Sequence, residues 1–125
     1  MIIHHIITLP SGDSKIELRK VPMSAAERPM SATYAATALF FRETSEGHVQ
    51  GFHNAPRRQL IFLTSGLVEI ETSDGKRWSC RPGDILFTED FDGRGHITRS
   101  LRETRGFFHV IVPEDFVVTD WPLVG

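Results

Sequence analysis

His53 and His96 are the residues of this chain best suited to chemistry. The polar side chains that could act with them are Arg57, Gln59, Glu89, Asp90 and Thr98. Imidazole binds divalent iron, manganese, nickel or zinc, and it also trades a proton near neutral pH. Metal binding needs further donors. Gln59 is the nearest neutral one, and Glu89 and Asp90 are carboxylates that would offset a dication's charge. Proton transfer needs only a placed partner. His53 is the candidate base for that use, but the single tyrosine, Tyr34, lies far upstream.

Strand alternation over Arg57–Leu63 puts Arg57, Gln59, Ile61 and Leu63 on one face and Arg58 on the other. A guanidinium beside the site disfavours a metal cation and favours a carboxylate or phosphate on a ligand. The competing reading is an ion pair from Arg57 to Glu89 or Asp90, with Arg58 facing solvent or a second copy. The same alternation groups His96, Thr98 and Ser100. Thr98 is then either a hydroxyl contact for a ligand or half of a cross-strand polar pair. Other histidines carry weaker signals. His109 stands in the apolar run GFFHVIVP and reads as a satisfied core or interface residue. His4 and His5 flank an N-terminal strand, and His48 lies in a turn. Cys80 alternates with exposed-type residues and has no adjacent base, so it reads as inert. Trp78 and Trp121 read as packing or dimer anchors.

The elements that must hold these residues are short strands. Apolar runs are punctuated by Gly, Pro, Asp and Ser, an all-β pattern. Ile2–Leu9 and Lys15–Val21 read as strands separated by Pro10-Ser11-Gly12-Asp13. Ser24–Met30 has room for one helical turn, kept short by Pro29. Thr33–Arg42 leans to strand. Gln59–Thr64 and Leu67–Thr72 read as two strands joined at Ser65-Gly66. Asp74-Gly75 is a hairpin signal before Lys76–Cys80. Arg81-Pro82-Gly83-Asp84 is a turn before Ile85–Thr88. Phe91–Gly95 is a loop, His96–Leu101 a strand and Gly106–Pro113 a buried strand. The tail from Glu114 reads as an edge strand or an arm packing on a partner. Such a series favours a sandwich or barrel over alternating strand–helix units.

Length and composition bound the rest. The 125 residues predict one domain, 1–125, with a barrel core at about 36–113. A net charge of −2 gives no general attraction to nucleic acid or an anionic membrane. No apolar run approaches the roughly 20 residues that span a bilayer. The first residues lack the basic n-region of a signal peptide. Cys80 is the only cysteine, so no internal disulfide forms, and a cytoplasmic setting is the simplest inference.

One spacing ties the histidines to a family. Gly47, His53, Gln59 and Gly66 follow the first cupin motif, G-x5-H-x-H-x3-E-x6-G, with Ala55 in place of its second histidine and Gln59 in place of its glutamate. Arg81-Pro82-Gly83-Asp84 and Gly93-Arg94-Gly95-His96 resemble the second motif. There the stretch from Gly83 to Gly93 is two residues longer than the pattern, Phe91 replaces its proline and Ser100 its asparagine. The segment Gly47–Arg99 thus resembles a small single-domain cupin. The resemblance implies a double-stranded β-helix, or jelly roll, with a pocket inside the barrel and a homodimeric habit. It also implies a metal site at the positions of His53, Gln59 and His96, depleted of its usual carboxylate.

Two functions follow as expectations. In the first, the barrel binds a small, anionic organic molecule against His53, Arg57, Gln59, Glu89, His96 and Thr98, with no assignable reaction. In the second, a divalent metal on His53, Gln59 and His96 serves a dioxygenase or isomerase. A third, structural reading has the barrel plugged by aromatic side chains such as Phe62 and Phe87.

Overall fold

The computed structural model describes residues 1–125. The chain is all-β, as the sequence predicts, and contains no helix. Its strands are β1 (Ile2–Thr8), β2 (Ser14–Lys20), β3 (Ala38–Thr44), β4 (Val49–His53), β5 (Gln59–Thr72), β6 (Arg77–Cys80), β7 (Ile85–Thr88) and β8 (His96–Ile111). They form one mixed sheet in the order β2-β1-β7-β5-β8-β3, with β4 on β8 and β6 on β5. Only β1 and β7 run parallel.

The two long strands close this sheet into a jelly-roll barrel, because each serves both walls. The first half of β5 pairs with β7, and its second half pairs with β6. The first half of β8 pairs with β4, and its second half pairs with β3. The two strands pair with each other throughout, with register shifts between Leu63 and Val68. Those shifts are bulges, which add residues and bend a strand. The expected turn at Ser65-Gly66 is such a bulge inside a continuous 14-residue strand. Gly66 has φ of 83°, and a Cβ there would lie 3.1 Å from Arg102 O and Arg105 Cα. Glycine alone fits that crossing.

The bulges also reverse strand parity. On β5, odd residues Gln59, Ile61 and Leu63 line the barrel cavity before the bulge, and even residues Val68 and Ile70 line it afterwards. On β8, His96 and Thr98 line it first, and Arg105, Phe107 and His109 line it later. The reversal on β8 passes through Glu103, the only non-glycine residue with positive φ, at 57°.

Two apolar clusters stabilise this frame. One, with Ile6, Ile16, Leu63, Val68, Ile70, Cys80 and Phe107, fills the barrel around the cavity. The other, with Ile3, Val21, Phe87, Val112, Phe116, Val118 and Trp121, joins the β1–β2 hairpin to the tail. Each fully buried side chain of this size contributes about 1.5–3 kcal/mol. The tail therefore packs on its own barrel, and Leu123 bridges to Arg19 on β2. Four local expectations differ. Residues 24–30 bend without a helical turn, and the strand expected from Thr33 starts at Ala38. Cys80 is buried at the cavity wall rather than exposed. Phe87 belongs to the tail cluster and Phe62 stacks on Phe108, so neither plugs the barrel. Trp78 and Trp121 pack against the two clusters, as expected for packing residues.

Candidate functional site

The barrel encloses a cavity of about 90 Å³. That is space for on the order of six waters, or for one small organic molecule. Strand pairing brings the two expected histidines together in it. His53 on β4 and His96 on β8 are register partners, with ring centroids 4.4 Å apart and planes tilted by 57°. His53 Nδ1 donates to the Gly51 carbonyl at 2.7 Å. A carbonyl only accepts, so this bond fixes the proton on Nδ1 and leaves Nε2 with a lone pair. His96 Nδ1 lies 2.5 Å from Oδ2 of Asp90, whose side chain is completely buried. The carboxylate therefore fixes the same tautomer on His96. Burial, reinforced by His96 and Arg105, holds the His53 pKa below its ordinary value. The site thus presents two imidazole nitrogens, one of them backed by a buried carboxylate.

Gln59 is 3 % exposed and also lines the cavity. Its Oε1 accepts from Arg57 Nη1 at 3.2 Å and from His109 Nδ1 at 2.8 Å. Both of those donors compete with any metal ion for the one oxygen. No group of three or more His, Cys, Asp and Glu side chains is disposed around a common point. The set His53, Gln59 and His96 therefore does not fit a divalent cation. Two nitrogens are available, the third donor is engaged, and the surroundings carry guanidinium groups.

Those guanidinium groups are the strongest electrostatic feature of the site. Arg105 is 6 % exposed and lines the cavity with Arg42. Its guanidinium lies over the Phe107 ring at 4.7 Å, and Nη2 donates to Thr44 Oγ1 at 3.3 Å. Its Nε has no partner. Burial, with help from Arg42, brings its pKa down to about 10, so it remains a cation at neutral pH. None of the ion pairs in the chain includes Arg42, Arg57 or Arg105. Asp84 is the one carboxylate in the cavity wall, and its Oδ2 accepts the Arg81 backbone N–H at 2.8 Å.

Thr98 lies in the cavity wall. Arg57 is beside Gln59, but it packs over Phe40 at 5.3 Å outside the lining and pairs with no acid. Glu89 is not in the cavity. It is bound by Arg58, not Arg57, and by His5 Nε2 at 2.7 Å. Burial tends to raise the Glu89 pKa, and His5 and Arg58 outweigh it, so the net shift is downward. Arg58 therefore caps a buried network instead of facing solvent. The reason is local: residues 54–58 lie outside any strand, so parity does not extend back from Gln59. Asp90 turns inward where Glu89 turns out. Tyr34 packs against Phe116 and Trp121, remote from the histidines.

Three site residues were not anticipated: Arg42, Arg105 and His109. The signal for two of them is present in the alternation R-G-F-F-H at 105–109, which puts Arg105, Phe107 and His109 on one face. Reading the strand from Gly106 loses the arginine.

No family model matches this chain, and no curated protein matches it. Some solved structures superpose on it in part. A conserved protein of unknown function from Streptococcus pyogenes is 18% identical, with a TM-score of 0.48 over 67% of this chain and 71% of that one. Ethanolamine utilization protein Q from Salmonella typhimurium is 12% identical, with a TM-score of 0.44 over 92% and 98%. A dTDP-4-dehydrorhamnose 3,5-epimerase from Sulfolobus tokodaii is 13% identical, with a TM-score of 0.42 over 96% and 81%. The jelly roll of this chain is defined by its own strand pairing.

Proposed function

We propose that this barrel binds a small organic anion, with a carboxylate or phosphate on the Arg105 guanidinium. One observation carries the reading: Arg105 is buried in the cavity wall with no acidic partner. An unpaired buried charge costs several kcal/mol, roughly, unless something neutralises it. A bound anion would supply the missing charge, and Arg42 would add a second cation at the same wall. The test is calorimetry and thermal shift with a panel of small carboxylates and inorganic phosphate, on the wild type and Arg105→Gln. Binding that disappears in the variant supports the proposal. A wild type that binds none of the panel, or a variant that binds equally well, refutes it.

A second reading adds chemistry to that binding, and the Asp90–His96 pair favours it. A carboxylate behind an imidazole fixes its tautomer and leaves Nε2 as the acceptor, and His53 stands alongside as a neutral base. In this reading Nε2 of a histidine takes a proton from a C–H carbon next to a carbonyl group of the ligand, and the same nitrogen returns it. Incubation in D2O with 2-oxo acids and hydroxy acids, read by NMR, should show exchange that His53→Ala abolishes. Exchange no faster than in buffer would refute it.

A further inference from the structure

The side chains around Gln59 specify more of the ligand than its charge. A guanidinium only donates, so Arg57 Nη1 must face the amide oxygen of Gln59 and not its nitrogen. The orientation of the amide is therefore fixed. His109 Nδ1 meets that same oxygen, so Nδ1 must carry the proton. The other nitrogen, Nε2, is then a lone-pair acceptor. Burial first, then Arg42, Arg57 and Arg105, pushes the His109 pKa down to about 4, which keeps the ring neutral.

That acceptor is unmatched. His109 is 2 % exposed, it lines the cavity, and its Nε2 has no partner. Two other cavity-lining atoms share this condition, Thr88 Oγ1 and Arg105 Nε. A hydroxyl such as that of Thr88 satisfies either a donor or an acceptor, whereas Nε2 of His109 requires a donor. The wall therefore asks for an anion at Arg105 and for an O–H or N–H at His109.

The spacing limits the molecule. Arg105 lies over Phe107 at 4.7 Å, and Phe107 meets His109 with ring centroids 4.9 Å apart. The guanidinium and the imidazole are thus no more than roughly 10 Å apart, and two hydrogen bonds of about 2.9 Å leave at most roughly 4 Å for the ligand. Hydroxy acids of a few carbons span that distance, and the cavity volume suits them.

Resting on the anion-binding reading, we propose that the ligand is a small hydroxy acid. Its carboxylate pairs with Arg105 and its hydroxyl donates to Nε2 of His109. Arg57 and Gln59 act as positioning residues, because they set the tautomer of His109 without touching the ligand.

The experiment compares lactate with propionate, and 3-hydroxybutyrate with butyrate, by calorimetry. In the wild type the hydroxylated member of at least one pair should bind about tenfold tighter, the effect of one buried hydrogen bond. His109→Phe keeps the aromatic stacking and removes the acceptor, so it should bind both members about equally. Equal binding of both members by the wild type, or discrimination that persists in His109→Phe, overturns the proposal while leaving anion binding intact. Failure of every anion to bind overturns both. A readout on the wild type covers a variant that does not fold: the 15N signal of His109 Nε2 should move toward the hydrogen-bonded position with lactate and stay with propionate. A signal that responds equally to both counts against the hydroxyl contact.

Discussion

Asp90 holds His96 by a single contact, Oδ2 to Nδ1 at 2.5 Å, made where both side chains are buried. The backbone reinforces it, because Ala55 N–H donates to the Asp90 carbonyl at 3.0 Å and ties the His53 loop to the same turn. Asp90→Ala should leave His96 as a mixture of tautomers, visible as a second Nε2–H population in 15N spectra. Its stability cost should be about 2–4 kcal/mol, since a buried pair loses one member. A variant with an unchanged His96 spectrum would show that the carboxylate does not set the tautomer.

Which parts of this site the sequence disclosed follows from where parity holds. His53, Gln59 and His96 were legible through motif spacing, and the barrel does gather them. Thr98 was legible because it shares an unbroken strand with His96. Alternation groups Arg105 with His109, but which way that face points was not legible, because β8 reverses its facing residues near Glu103 and no propensity marks that reversal. Glu89 and Arg58 were misplaced for a related reason. Each stands at or just beyond the end of a strand, where alternation gives no direction. The strands themselves were legible from turn residues such as Asp74-Gly75. The fusion of four expected strands into β5 and β8 was not, since Gly66 and Gly106 read as breaks when they serve as crossings.

Arg105 should be a site where function opposes stability. Its charge is buried without a carboxylate, and apolar replacements of such groups are often stabilising. Arg105→Met should therefore raise the unfolding free energy by about 1–2 kcal/mol while abolishing anion binding. Urea titration and calorimetry on the same preparation would check both halves. A less stable Arg105→Met that still binds anions would mean the guanidinium is there for packing alone.

Gly95 connects a motif residue to the position of His53. It has φ of 71°, and a Cβ there would collide with the His53 carbonyl and lie 3.1 Å from Asn54 N. The loop before His96 thus presses against the end of β4 and sets how near the two imidazoles stand. Gly95→Ala should cost about 2–4 kcal/mol, from backbone strain plus the shift the clash demands. Chemical shifts of His53 and His96 should both move, with smaller changes at His5. A variant as stable as the wild type, with His53 unmoved, would show that the loop yields freely.

The lowered histidines give the fold a defined response to acid. His109 is held at about 4 against an ordinary value of 6.5. Between those values the unfolded chain binds a proton that the folded chain refuses, so stability rises with pH across the window. The contribution is complete above about pH 6.5 and is lost as pH falls toward 4, and His53, lowered mainly by burial, acts in the same direction. Together they should account for roughly 1–3 kcal/mol between pH 7 and pH 5. Glu89 is separable, because its depressed value puts its loss lower still, below the ordinary 4.5. Urea unfolding of the wild type at half-unit steps from pH 7 to pH 5 should show the slope, and His109→Phe should flatten most of it. Phenylalanine preserves the stack on Phe40, where the rings now lie 4.2 Å apart, so packing changes little. A wild-type stability that stays level across the window would mean that His109 finds a way to keep its proton when folded. The repulsion from Arg42, Arg57 and Arg105 would then be weaker than their placement implies.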